Sequence, residues 1–375
     1  MSTQQVRGSV NATMMAGLAA LVVGGGLALA NLMTSGHASF NTSSRGITWG
    51  LPVVGYIFFV LISTGLTFVA SLAMVFGFKD FYPIAKRCIW VAVVTLIAGF
   101  TCLGLELGHP IRMLWAVPLA MQYKSPLNWM GLFYTVYIVL LLLKFRKVNA
   151  GDWDSSSSKA LGIASFVAVV VAHATLGGVF GAMAMRPMWY GPMIPLYFLL
   201  TAAASGGAVA VLITYLTYGG VDNMPPKVKS LMLGALPKVF AAALGIVILA
   251  MLSRTIIGLW TNADGMQVWS HIVGSGWFWS EMVLLVAAFV LLLRGGSPML
   301  AAVMALVALF IGRYEFLISG QVVPLLKGSW VLTGLIEYTP SMTEWMILVL
   351  ALGIVLAGWA FGEKSLNLAA EPAEQ

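Results

Sequence analysis

Five ionisable side chains lie inside or at the ends of long apolar segments, and they are the strongest candidates for chemistry in this chain. They are Glu106, His173, Glu281, Glu315 and Glu344. A charged side chain at the centre of a bilayer costs roughly 3 kcal/mol or more, so such residues usually face a cavity or a route for protons or ions. On the topology derived below, none of the five lies in the cytoplasmic half of the membrane. This asymmetry predicts polar chemistry close to one membrane face.

The sharpest local motif lies at the outer end of the third apolar segment, where Glu106, His109 and Arg112 follow one another closely. Pro110 restricts His109 away from the helical region, so the helix is expected to stop there and turn the three groups toward one spot. A carboxylate, an imidazole and a fixed cation at a membrane boundary can bind a quinone oxygen and adjust its protonation. The alternative is a helix end at which Arg112 reaches water and pairs with Glu106.

His173 lies in the middle of the fifth apolar segment and is followed by Gly177 and Gly178. A lone buried histidine is more often a hydrogen-bonded packing residue than a ligand. However, the two glycines leave space beside the backbone, and a buried polar group in lipid needs a partner. We therefore expect His173 to line the inner side of a quinone pocket or to relay a proton from it.

The other acids predict a lateral polar cluster near the same face. Glu281 lies about one turn into the eighth segment, Glu344 lies at a similar depth in the tenth, and Glu315 ends the ninth, two residues after Arg313. Two interpretations stay open. The acids pair with Arg313 or Arg254 and are structural, or they transfer protons between the pocket and the outer aqueous phase.

The elements that must position these residues are membrane helices. The chain is 60% hydrophobic and only 9% charged, whereas soluble domains average about 25% charged residues. Apolar runs of about 20 residues, the length that crosses a bilayer, predict an all-α membrane protein with about ten transmembrane helices. These are 12–33, 51–77, 88–107, 128–145, 160–185, 193–218, 235–253, 276–293, 298–318 and 342–361.

A faint internal repeat predicts how these helices are grouped. Tyr56 and its aromatic neighbours follow Pro52 in the second helix, as Tyr197 and its neighbours follow Pro195 in the sixth. We expect one integral membrane domain over residues 1–375, with a pseudo-repeat of two four-helix bundles and one extra helix at each end. The repeat units are 51–185 and 193–318, and the flanking helices are 12–33 and 342–361.

Small residues in the second and sixth helices are expected to let helices approach closely within each bundle. They are Ser63, Gly65, Ser205 and Gly207.

The distribution of basic residues predicts the orientation. With the N-terminus in the cytoplasm, thirteen of the twenty Lys and Arg residues fall in cytoplasmic connections. This asymmetry fits the positive-inside rule. We therefore expect a multi-pass protein of the bacterial inner membrane with both termini in the cytoplasm. The formal charge of +7 needs no nucleic-acid partner to explain it.

The two cysteines, Cys88 and Cys102, cannot supply a redox centre. They lie about 21 Å apart along one helix, and an iron–sulfur cluster typically needs four cysteines. Of the histidines, only His173 lies well inside a helix, whereas membrane haems usually need two facing ligands. We expect neither haem nor an iron–sulfur cluster in this chain, so metal carriers of electrons would belong to another subunit.

Several short motifs resemble the polysulfide reductase membrane-subunit family, often called NrfD-like. They are Trp49-Gly50-Leu51-Pro52, the segment from Glu106 to Arg112, and Ser125-Pro126-Leu127-Asn128-Trp129. The ten-helix count, with Arg313-Tyr314 and the segment from Tyr338 to Glu344, resembles the longer branch of this family. That branch includes membrane subunits of respiratory hydrogenases and of sulfur-metabolism complexes.

This resemblance implies a quinone-reactive membrane anchor without haem, using menaquinone or ubiquinone. It implies a partner iron–sulfur protein and a catalytic subunit of the molybdopterin or nickel–iron type, with the quinone pocket close to the face where the iron–sulfur subunit docks. Glu106 stands where many members of the family carry Asp, which keeps the carboxylate but moves it by one methylene.

The expected mechanism places the quinone near Tyr56 and the third to fifth helices. His109, with Glu106 and Arg112, would serve one quinone oxygen, and His173 would serve the other. Cytoplasmic halves of the helices offer hydroxyl groups but no carboxylate, which argues against proton pumping. Two alternatives stay open: a secondary transporter with a polar site near the outer face, and a purely structural membrane anchor.

Overall fold

The computed structural model describes residues 3–43, 46–107, 112, 115, 119–262, 265, 267–324 and 334–372, with side chains from Val10 onward. Within these residues, ten helices are long and apolar enough to cross a membrane. This confirms the prediction of a ten-helix membrane protein. The ten are α1 Thr3–Ser35, α2 Leu51–Met74, α3 Tyr82–Glu106, α4 Pro126–Asn149, α5 Ser156–Gly181, α6 Ile194–Tyr218, α7 Ala235–Thr261, α8 Gly276–Leu293, α9 Pro298–Ser319 and α10 Met342–Ser365.

The helices expose two opposite faces, which we name after one residue each. The Trp49 face holds the start of α2 with Trp49, the end of α3 with Glu106 and the start of α10 with Glu344. The Arg87 face holds the start of α3 with Arg87 and the end of α10 with Glu363. The sequence-based orientation predicts that the Arg87 face is cytoplasmic.

Two four-helix bundles form the body of the protein. Helix α2 packs against α3 and α5, and α4 packs against α3 and α5, which closes the first bundle. Helices α6, α7, α8 and α9 pack in the same cyclic order in the second bundle. Helices α1 and α10 pack against each other, and α10 joins them to α2 and α3. The pseudo-repeat that suggested this grouping stays a prediction.

The bundles meet most closely where two glycines face each other. A Cβ on Gly65 of α2 would overlap the backbone of Ala202 and Gly206 on α6, and a Cβ on Gly206 would overlap Gly65. The prediction that Gly65 serves packing within a bundle is therefore wrong, because its contact joins the two bundles. Gly207 does serve its own bundle, since it packs against Phe240 of α7.

The glycine-rich first helix is continuous, and its glycines have a packing role. Gly17 lies against the backbone of Ala357, and Gly24 lies against the backbone of Leu350. Small residues let two membrane helices approach without a side chain between them. The close contact between α1 and α10 compensates for the low helix propensity of glycine.

Several helices extend beyond their apolar runs because their polar ends find partners inside the protein. Helix α3 begins at Tyr82, and α7 continues to Thr261, so Arg87 and Arg254 lie within helices instead of in loops. Arg87 makes a buried ion pair with Glu363 of α10. On the predicted orientation, the expectation that the cytoplasmic halves of the helices offer no carboxylate is therefore wrong, since α10 continues to Ser365 and includes Glu363 at the Arg87 face.

Candidate functional site

Glu106 lies at the end of α3, beside the first residues of α2. The backbone N–H of Gly50 donates a hydrogen bond to Glu106 Oε1 at 3.1 Å. The ring of His37 bonds the backbone oxygen of Glu106 through Nε2 at 2.7 Å. The second carboxylate oxygen, Oε2, is buried and has no hydrogen-bond partner among the described residues. Oε1 is thus fixed by the protein, whereas Oε2 is bonded to none of the residues that the structure describes.

Glu344, the second acid at the start of α2, is fully engaged. The Tyr338 hydroxyl donates to Glu344 Oε1 at 2.5 Å, and the backbone N–H of Ser341 donates to Oε2 at 2.6 Å. The Tyr338 oxygen in turn accepts from the backbone N–H of Leu51 at 2.8 Å. Burial, followed by the hydrogen bond to Glu344, raises the pKa of Tyr338 far above its usual value. Glu344 therefore joins α10 to α2.

Gly50 separates these two acids, and its lack of a side chain is required. A Cβ at this position would overlap Glu344 Oε1 and crowd the hydroxyl oxygen of Tyr338. Pro52 follows in the first turn of α2, where a missing N–H costs nothing. In the Trp49-Gly50-Leu51-Pro52 motif, Gly50 thus leaves room for the two acids, and Pro52 suits the first turn of α2.

An aromatic and amide cluster fixes Trp49 at the junction of the two bundles. Gln321 Oε1 accepts from the backbone N–H groups of Thr48 and Trp49, both at 3.0 Å. The Trp49 ring stacks on Trp189, with centroids 5.6 Å apart. Arg186 Nη1 donates to the backbone oxygen of Gln321 at 3.2 Å, and burial lowers the pKa of Arg186. Sequence reasoning missed Gln321, because a polar residue in a connection carries no local signal of burial.

His173 lies fully buried inside the first bundle. Its Nδ1 is 2.8 Å from Tyr134 Oη and 3.0 Å from Thr64 Oγ1. Its Nε2 is buried without a partner among the described residues. Tyr56, buried in the same bundle, donates from its hydroxyl to Met130 Sδ at 3.5 Å. His173 and Tyr56 are therefore both buried in the first bundle, and their predicted role at a quinone stays a prediction.

The structure does not bring Glu106 and His173 together. Glu106 binds Gly50 and His173 binds Thr64, and these two residues lie about 20 Å apart along α2. One quinone ring cannot reach both side chains. The prediction that Glu106 and His173 serve the two oxygens of one quinone is therefore wrong in its geometry.

The remaining members of the predicted motif are less defined. Arg112 is exposed, and the described residues include no ion pair between Arg112 and Glu106. His109 and Pro110 lie outside the described residues. The predicted convergence of Glu106, His109 and Arg112 stays a prediction.

The predicted lateral polar cluster divides into two groups. Glu281 and Glu315 line one small cavity in the second bundle together with Arg254, which the sequence had placed in a loop. Arg313 lies beside this group, with its guanidinium carbon 5.0 Å from the Tyr197 ring centre. Glu344 was wrongly assigned to this cluster, because its hydrogen bonds go to Tyr338 and Ser341 at the start of α10.

No three His, Cys, Asp or Glu side chains are grouped as metal ligands in the ranges that the structure describes. Cys88 and Cys102 are both buried and free.

Comparison with known proteins agrees with the fold. A family model described as Polysulphide reductase, NrfD matches residues 40–325. The chain is 26% identical to a selenate reductase subunit of Mesobacillus selenatarsenatis, over 82% of this chain and 83% of that protein. It is 24% identical to the Hdr-like menaquinol oxidoreductase integral membrane subunit of Archaeoglobus fulgidus, over 89% and 88%. It is 24% identical to protein NrfD of Escherichia coli, over 45% and 60%.

The matched segment begins before α2 and ends beyond α9, so it contains both bundles and the residues around Gly50, Glu106 and His173. The protein therefore belongs to the polysulphide reductase NrfD family.

Proposed function

We propose that this protein is the quinone-reactive membrane subunit of a respiratory oxidoreductase complex. In this proposal it exchanges electrons with an iron–sulfur subunit docked on the Trp49 face, which is the non-cytoplasmic face of the inner membrane. The observation that carries the proposal is the buried Oε2 of Glu106 at that face, which has no hydrogen-bond partner among the described residues. A buried polar atom without a partner is rare in folded proteins and calls for an explanation, such as a redox or catalytic role or a bound water or ion.

The contacts distinguish the two acids at this site. Both oxygens of Glu344 are hydrogen-bonded within the protein, so Glu344 is suited to a structural role. Glu106 uses only Oε1, so its Oε2 can accept a hydrogen bond from a quinol hydroxyl and hold its proton. Tyr314 and Tyr338, whose ring centres lie 6.4 Å apart, provide an aromatic surface next to Glu344.

A bound quinone would supply the electron and proton exchange, and the protein supplies orientation and electrostatics. Gly50 holds the Glu106 carboxylate in place, and the start of α2 favours negative charge there through its unpaired N–H groups. This arrangement lets Glu106 take up a proton at the quinol and pass it on toward water at the Trp49 face.

The names of two relatives support the class of function. One is a subunit of a selenate reductase and another is the membrane subunit of a menaquinol oxidoreductase. By analogy, we propose menaquinone or ubiquinone as the membrane substrate. We also propose an iron–sulfur partner and a catalytic subunit of the molybdopterin or nickel–iron type.

The test is a fluorescence-quenching titration of the purified chain with a quinol analogue, using its thirteen tryptophans. In Glu106→Gln, the amide still offers an oxygen to Gly50 but cannot accept a proton. We expect saturable quenching in the wild type and an apparent Kd at least tenfold higher in this variant, which corresponds to a loss of about 1.4 kcal/mol.

His173→Gln is the matched control, because it replaces a buried imidazole whose partner Thr64 lies about 20 Å from Gly50 along α2. Its Kd should stay within about twofold of the wild type, since a factor of two is only about 0.4 kcal/mol. Equal Kd values for wild type and Glu106→Gln in folded preparations would refute a site at Glu106. A selective loss in His173→Gln would move the quinone into the first bundle.

A further inference from the structure

The second bundle contains a small cavity close to the Trp49 face, and nothing in the proposed function uses it. Its volume is about 30 Å³. A cavity needs about 10–15 Å³ by this measure to hold one water molecule, so this cavity has room for about two. Helices α6, α7, α8 and α9 and the short helix Val268–Gly274 contribute its polar and aromatic walls, which include Tyr197, Arg254, Trp269, Glu281, Gly312 and Glu315.

Glu281 is the buried acid of this cavity. Its side chain is 4% exposed, and it makes no hydrogen bond or salt bridge to any residue that the structure describes. Gly312 gives it room, because a Cβ there would overlap the carboxylate. Glu315 lies three residues after Gly312 on the same side of α9 and is only half-buried, so it joins the cavity to the protein surface.

Two guanidinium groups face this region without an acid as direct partner. The Arg254 guanidinium carbon lies 4.5 Å from the Tyr197 ring centre, and Nη2 is buried and unpartnered among the described residues. Arg313 is 1% exposed, and its Nε and Nη1 have no hydrogen-bond partner among the described residues. In the part of the chain that the structure describes, no salt bridge within 4.0 Å joins either arginine to Glu281 or Glu315. Aromatic faces, instead of carboxylates, hold the two cations.

This environment allows Glu281 to exist in both charge states. Burial in a membrane protein favours its neutral form, whereas two nearby guanidinium groups favour its charged form. A direct ion pair would lock the carboxylate in the charged state, but none is present among the described residues. Water in the cavity can instead bridge the carboxylate to Arg254 Nη2, because a water needs two to four polar partners and the walls provide them.

We propose that this cavity is a proton-exchange site of the second bundle. A proton from the aqueous phase of the Trp49 face passes Glu315 and cavity water to Glu281, and it returns by the same route. The charged and titratable groups around Glu281 are Tyr197 of α6, Arg254 of α7, and Arg313 and Glu315 of α9. The proposal does not depend on quinone binding at Glu106.

The cavity also lies near the boundary with the first bundle. Arg313 packs on Phe198, with its guanidinium carbon 5.1 Å from the ring centre. The ring of His173 faces the same Phe198 at 6.1 Å, and its Nε2 has no partner within the described ranges. Arg313 therefore separates Glu281 from His173, so a change in the charge of Glu281 alters the potential at the junction of the bundles.

The test is an infrared pH titration of the purified chain, following the carbonyl stretch of protonated carboxyl groups in H₂O and D₂O. The difference between wild type and Glu281→Gln isolates the band of Glu281. We expect a band that appears on acidification and moves to lower frequency in D₂O within the mixing time of the measurement. Glu315→Gln should slow this exchange at least tenfold, and Gly312→Ala should shift the band, because its methyl group presses on the carboxyl group.

Glu337→Gln is the matched control, because Glu337 is exposed near the same face; the Glu281 band should be unchanged in it. If Glu281→Gln does not fold, Glu281→Asp replaces it, and the band should then change frequency without being lost. A Glu281 band that does not titrate, or that does not shift in D₂O over hours, overturns the proposal. An exchange rate equal in wild type and Glu315→Gln excludes the route past Glu315.

Discussion

Gly65 of α2 and Gly206 of α6 meet backbone to backbone, and this contact joins the two four-helix bundles. Neither position can take a side chain without moving one helix, because the atoms that a Cβ would meet belong to the backbone of the partner helix. The contact lies beside Thr64, which binds His173. The packing of the bundles and the polar core of the first bundle are therefore linked.

Gly65→Ala should destabilise the protein substantially. Overpacking a closely packed contact costs about 1–3 kcal/mol, and more where the opposing atoms are backbone. The thermal unfolding midpoint, measured by size-exclusion recovery after heating, should fall. Gly178→Ala is the control, since a Cβ there meets nothing within 4 Å; replacing a helical glycine by alanine should gain up to about 1 kcal/mol. Equal midpoints for the two variants would contradict the packing role of Gly65.

Gly50→Ala should disturb the start of α2 by steric overlap alone, because φ at Gly50 is −93°, which any residue can adopt. The new methyl group would displace the carboxylate of Glu344 and the hydroxyl of Tyr338. We expect a lower unfolding midpoint and at least a tenfold weaker affinity for the quinol analogue, about 1.4 kcal/mol. Gly104→Ala, at an open position in α3, should leave the affinity unchanged and should not lower the midpoint. Normal affinity in Gly50→Ala would place the quinone elsewhere.

The buried pair of Arg87 and Glu363 should be strongly coupled. Their side chains are 0% and 9% exposed, so Arg87→Met leaves a buried carboxylate without its cation. Such a loss typically costs about 3–5 kcal/mol. The double variant Arg87→Met with Glu363→Gln should recover much of the stability, because no uncompensated charge remains. Additive effects of the two single changes in a double-mutant cycle would show that the pair is not coupled.

Tyr338 should make the protein less stable at high pH. Its folded-state pKa is raised above the ordinary value of about 10, so the folded protein keeps the phenol proton more tightly than the unfolded chain. The stabilisation is complete below about pH 10 and is lost as the pH rises above it, because the unfolded chain releases the proton first. The unfolding midpoint should fall less between neutral and alkaline pH in Tyr338→Phe than in the wild type. Parallel curves would exclude this contribution.

Much of the fold could be predicted from local sequence. Apolar runs longer than about 17 residues identify membrane helices because every backbone polar group in lipid must be paired within its own helix. All ten helices follow from this rule, and the motifs around Gly50 and Glu106 indicated the family. The ends of the helices were less predictable. Helices α3 and α7 include Arg87 and Arg254 because distant segments supply their partners. Arg87 pairs with the Glu363 carboxylate, and Arg254 packs on the Tyr197 ring.

The candidate site could be predicted only as a set of residue types near one face. Local sequence was enough to identify Glu106, His173, Glu281 and Glu344 as ionisable groups in apolar segments. It also predicted that none of them lies in the cytoplasmic half of the membrane. Hydropathy and periodicity are local properties, so they assign a residue to a helix and an approximate depth.

Which of these side chains share a site depends on the packing of the helices. Glu344 bonds to Tyr338 near Gly50, Glu281 faces the Arg254 cavity, and His173 bonds to Thr64, which lies about 20 Å from Gly50 along α2. These relationships follow from how each helix is rotated about its axis and from which distant helix packs against it. That choice is made by close contacts such as Gly65 with Gly206, which no single segment of sequence contains.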